Sequence, residues 1–136
     1  TVVYGLMPPY YPHVSNKLFE NTDPKITALN KLINEFTVTN FGEQYNKVNF
    51  FPGISDLSYT NVINADETKK ALQDAMPLFE TLYDVPIEDI KEIAMPCVNI
   101  GPWGKDLHKL TERVYKVDLL NRTPRLIDHV LQNILG

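Results

Sequence analysis

An α/β architecture is what the sequence predicts, and three observations carry it. Short apolar, often β-branched runs at residues 1–7, 47–51 and 95–100 alternate with amphipathic stretches at helical spacing. The run from Met95 to Ile100 has the apolar character of a strand covered on both faces in a parallel sheet. Proline- and glycine-bearing segments separate these elements, and no internal repeat or low-complexity tract interrupts them.

Taken in order, TVVYGLM at 1–7 reads as a strand already under way, so the chain is expected to be a piece of a longer protein. Pro8, Pro9 and Pro12 stop that strand and make a stiff extended linker. Asp23-Pro24 supplies a cap and a first-turn proline for a helix over 24–38, ending before Gly42. Ile26, Leu29, Leu32, Ile33 and Phe36 mark its buried face. A short strand over Lys47–Phe51 leads into the loop Pro52-Gly53-Ile54-Ser55-Asp56. Asp66 to about Gln73 reads as a helix that Pro77 prevents from continuing to Leu82. Pro86 opens a short helix over Ile87–Ile93, and Gly101-Pro102-Trp103-Gly104 forms a loop after the 95–100 run. Thr123-Pro124 starts a last helix to 135, with Leu126, Ile127, Val130, Leu131, Ile134 and Leu135 as its apolar stripe.

Composition narrows the functional classes. Hydrophobic residues make up 43% and charged residues 22% of the 136, a globular balance that argues against disorder. Thirteen basic against seventeen acidic side chains give a net charge of −4 and no basic stripe, so no nucleic-acid partner is expected. The lone cysteine, Cys97, cannot staple the chain, which favours a cytoplasmic setting. No run approaches the length of a membrane span, so no membrane partner is expected either.

Chemistry concentrates in MPCVNIGPWGKDLHKLTERVY, residues 95–115. A strand delivers a glycine-bearing loop that presents His108, with Glu112 four residues on. Ligands of open α/β sheets bind beyond the carboxyl ends of strands, where an imidazole can hold a metal or move a proton. Taken alone, a single histidine on a loop is more often a solvated or capping residue than a ligand. His13, in the proline linker, and His129, on the polar side of the last helix, are given no site.

This stretch resembles the C-terminal metal-ligand motif of the M20 metallopeptidase family: apolar strand, glycine-containing loop, histidine, a glutamate four residues later, then an apolar pair. Here those are Cys97–Ile100, Gly101 and Gly104, His108, Glu112 and Val114-Tyr115. NIGPWGKDLHKLTERVY is similar to the arginine-utilisation, RocB-type branch of that family, and FFPGISDLSYT is similar to its glycine-serine-aspartate loop. The resemblance covers essentially the whole chain. It implies the C-terminal portion of a phosphorylase/hydrolase-like zinc-exopeptidase catalytic domain at 15–136, preceded by the last strand of a lid domain and its exit linker at 1–14.

The same resemblance implies a zinc-dependent amidohydrolase or peptidase acting on a small amide or peptide, with His108 as a ligand to one of two zinc ions. Glu112 either supports His108 from behind or lies on a surface helix. Ser55 and Asp56 either meet the substrate's carboxylate or simply bond nearby backbone amides in a turn. Trp103 either walls the pocket or packs beneath its loop, and Lys105 and Asp106 face solvent. Pro52-Gly53-Ile54-Ser55-Asp56 departs from the paired glycine common in carboxypeptidase-type members, which leaves the substrate class open.

The family's other zinc ligands and catalytic glutamate would precede Thr1, so no catalytic residue is assigned here. Glu88-Asp89 reads as compensation of a helix dipole. The chain alone is therefore expected to be inactive, to hold zinc weakly, and to self-associate or await a missing N-terminal half over its apolar surface. The competing reading is a non-catalytic binding or structural module that uses the GPWG loop for recognition. A serine esterase is disfavoured because no G-x-S-x-G elbow occurs.

Overall fold

A computed structural model describes residues 1–20, 22–51 and 53–134; Pro52 and Leu135, invoked above, lie outside the described residues. The chain divides into two compact units, each made of two separate stretches: Thr1–Phe19 with Val48–Cys97, and Glu20–Lys47 with Val98–Gly136. Among the described residues the regular elements are four α-helices, a two-stranded antiparallel sheet and one π-helical turn, a mixed fold with far more helix than strand. Among the described residues no helix is long and apolar enough to cross a membrane.

The first unit holds the helices we label α1 (Ala65–Ala75) and α2 (Ile87–Glu92). Asp66 and Glu67 in the first turn of α1 suit the positive end of its dipole. Met76 closes the helix through its N–H to Leu72 O at 2.8 Å, one residue before the proline that cannot continue it. Leu72, Met76, Phe79, Val85, Ile87 and Ile90 bury together with Val62 and Ala65, and Tyr10 and Tyr83 close over them. The Tyr10 N–H donates to Tyr83 Oη at 2.8 Å.

The second unit is built on α3 (Pro24–Phe41) and α4 (Thr123–Ile134). Asp23 caps α3 by accepting the Lys25 N–H at 2.8 Å. Gly42, at φ 66°, ends it in the left-handed conformation that glycine adopts without a Cβ clash. The helix thus continues three residues past 38, to the glycine. Leu29, Leu126 and Val130 form the buried centre, with Leu32, Ile33, Phe36, Tyr45, Ile100 and Ile134 around them. His129, expected on the polar side of its helix, stacks half-buried on Phe36 with ring centroids 4.4 Å apart.

All four predicted helices are present, but the predicted strands are not. Residues 1–7, expected as the last lid strand, have no strand pairing, and Val2, Val3 and Tyr4 are each at least 88% exposed. Of 47–51 only Phe51 pairs, in an isolated antiparallel bridge with Val14. The 95–100 run is not a doubly covered strand, since Met95 and Val98 are about half exposed. The Met95 N–H donates to Thr60 O at 3.0 Å, and a side chain supplies a further ladder-like contact. The Asn16 amide donates from Nδ2 to Cys97 O at 2.6 Å and accepts the Cys97 N–H on Oδ1 at 3.1 Å.

Candidate functional site

The sheet lies where the sequence suggested a loop and a histidine. Strands β1 (Gly104–Lys105) and β2 (Arg113–Val114) pair antiparallel, Gly104 opposite Val114 and Lys105 opposite Arg113. Tyr115 N–H to Trp103 O at 2.8 Å extends the pairing by one rung. Glycine at 104 suits this closeness, because a Cβ there would lie a tight 3.0 Å from Arg113 O. The result is a hairpin arm in the second unit with residues 106–112 as its tip.

That tip carries no glycine, yet two of its residues are left-handed: Asp106 at φ 57° and His108 at φ 61°. Such conformations are uncommon outside glycine and persist where neighbours enforce them. Asp106 provides much of the enforcement. Its Oδ2 accepts from Arg113 at 3.0 Å and from Thr111 Oγ1 at 3.2 Å, and its carbonyl accepts the Lys109 N–H at 3.0 Å. Asp106 was expected to face solvent; it is a half-buried organiser of the turn instead.

His108 sits exposed on this tip, and its own N–H donates to Glu112 Oε2 at 3.1 Å. Glu112 therefore holds the backbone of His108, in a turn and not on a helix. The imidazole itself has no hydrogen bond or ion pair among the described residues, leaving both ring nitrogens available. Trp103 is 59% exposed, with Lys105 Nζ 5.4 Å from its ring centroid.

The arm is anchored at its base by Asp118, which sequence reasoning missed. The π-helical turn Asp118–Arg122 runs directly into α4. Asp118, only 7% exposed, accepts the Trp103 N–H on Oδ2 at 3.2 Å and Arg122 on Oδ1 at 3.3 Å. Arg122 also meets Glu43 at 3.1 Å. Desolvation opposes the charged guanidinium, but Glu43 and Asp118 outweigh it and raise the Arg122 pKa. The available sequence signal was the spacing of Asp118 and Arg122, which are i and i+4 on one helical turn.

Ser55 and Asp56 belong to the other unit. Ser55 Oγ accepts the Leu57 N–H at 3.2 Å and its carbonyl accepts the Ser58 N–H at 3.0 Å, so its hydroxyl serves the turn. Asp56 is exposed. Trp103, His108 and Glu112 are thus brought together on one hairpin. Among the described residues no three His, Cys, Asp or Glu side chains converge as a metal site.

No protein-family model matches the chain, and no solved structure does. Two curated proteins of Bacillus subtilis (strain 168) do. The uncharacterised protein YqjN is 33% identical over 134 residues, covering 98% of this chain and 23% of its own length. Protein RocB is 30% identical over 134 residues, covering 98% of this chain and 24% of its own length. The chain is therefore similar over nearly all its length to RocB and YqjN, and it spans about a quarter of each.

Proposed function

We propose that this chain is the C-terminal part of a RocB-like, M20-type hydrolase of small amide or peptide bonds, working in arginine or other amino-acid catabolism in the cytoplasm. On this reading the chain contributes His108 as one ligand to a zinc site completed by residues outside it. The observation that carries the reading is the condition of His108. It is exposed at the tip of an organised hairpin, its backbone is held by Glu112, and its imidazole has no hydrogen bond or ion pair among the described residues. Similarity to RocB across 98% of the chain supports a longer parent. Because this chain offers a single ligand where zinc sites use three or four, it would be inert by itself.

The test uses a full-length RocB-like protein containing this segment. His108→Ala should lower zinc content and abolish hydrolysis of small amides. Glu112→Ala should cost roughly 10- to 100-fold in metal affinity or activity, and Glu112→Gln less, because the amide oxygen still accepts the His108 N–H. Full activity and unchanged zinc content in the His108→Ala protein would refute the assignment.

A further inference from the structure

The hairpin tip does more than present His108. Leu107 is 71% and Leu110 fully exposed, at 104%, on either side of it in sequence. They are not on a slack loop: Asp106, Thr111 and Arg113 knit the turn together, and Lys109 and Glu112 N–H groups close it from within. Beyond β2, Tyr115, Leu119 and Leu120 are 46%, 44% and 74% exposed. Apolar side chains held outward by a polar scaffold suit docking, since little freedom is lost when they are covered.

We infer that the β1–β2 arm is a docking element, with Leu107 and Leu110 seated against the remainder of a longer RocB-like chain. This rests on the reading above that the chain is one segment of such a protein. Two arguments select that occupant. The matched relatives extend well beyond the region aligned here, since this chain spans 23% and 24% of them. The two leucines also flank His108, so the surface that receives them lies where the histidine's missing partners must come from. Docking the arm and positioning the imidazole are then one event.

The experiment places a cysteine at the tip, Leu110→Cys, in the full-length protein and follows maleimide labelling of that peptide by mass spectrometry. The urea-unfolded protein supplies the unprotected rate. Labelling in the native protein should be at least about tenfold slower at every protein concentration. Equal native and unfolded rates would overturn the inference. Protection that disappears on dilution to monomer would also overturn it, assigning the surface to a second copy. Leu107→Cys provides the same comparison if Leu110→Cys does not fold. No zinc or turnover measurement enters, so persistent protection in a protein whose His108→Ala variant keeps zinc and activity would refute His108 as a zinc ligand and leave docking intact.

Discussion

Replacing Asp118 by alanine tests how the arm is held. The residue is 7% exposed and its carboxylate accepts the Trp103 N–H at 3.2 Å, so alanine leaves that N–H without its charged acceptor. A hydrogen bond to a charged group contributes about 1.5–3 kcal/mol. Losing Arg122 as a partner adds little, because Arg122 keeps Glu43 at 3.1 Å. The expected cost of Asp118→Ala is therefore about 2–3 kcal/mol, whereas Asp118→Asn, which retains an acceptor, should cost about 1 kcal/mol or less. Trp103 is the chain's one tryptophan, so urea unfolding followed by its fluorescence reads this region directly. Hydrogen exchange at the Trp103 amide should quicken in the alanine variant and stay near native in the asparagine variant. If asparagine costs as much as alanine, the acceptor for Trp103 is not what Asp118 provides. If alanine costs almost nothing, the anchor itself is misassigned.

Other expectations concern the core of the first unit, the hairpin tip and one surface cluster. Leu72, 1% exposed at the centre of the first unit, should cost about 2–5 kcal/mol as alanine in denaturant unfolding. His108→Ala in this chain alone should change stability by no more than about 0.5 kcal/mol, since the exposed imidazole makes no hydrogen bond or ion pair among the described residues. Hydrogen bonds from Gln73 and then Lys69 hold the Glu80 carboxyl below its ordinary range. A lowered folded-state value means the stabilisation is complete above the unfolded carboxylate value and is lost as pH falls through the folded one. An NMR titration of Lys69→Met should therefore show the Glu80 midpoint rising, though not fully, because Gln73 remains.

What the sequence made legible, and what it hid, divides along local and non-local causes. The Asp23-Pro24 start and the Gly42 stop are written in adjacent residues, so that helix was readable nearly to its ends. The apolar runs at 1–7 and 95–100 are different. A run becomes a strand only by pairing, and neither finds a strand partner among the described residues. The real hairpin was invisible for the opposite reason. Its tip, Asp-Leu-His-Lys-Leu, lacks the Asn-Gly or Gly-X signal of a tight turn, and contacts such as Asp106 with Arg113 and Thr111 exist only after the chain has folded back. His108 and Glu112 stand four residues apart in the sequence, but the link between them runs through the histidine's backbone, which spacing alone does not reveal. Asp118 was missed because its main partner, the Trp103 N–H, is a backbone group fifteen positions away.

The interleaving of the two units has a consequence for synthesis and for trimming. The first unit is begun at Thr1 but not finished until Cys97, after the chain has already laid down the opening stretch of the second. On the ribosome neither unit can mature as it emerges. Glu20–Lys47 must wait for α4, and the Asn16–Cys97 pairing must close a loop of 81 residues before it contributes. Such closure is slow to nucleate, although its entropic cost grows only gently with loop length. A single cut made between residues 20 and 97 therefore divides both units at once, and isolating either would require joining its two stretches at one new junction.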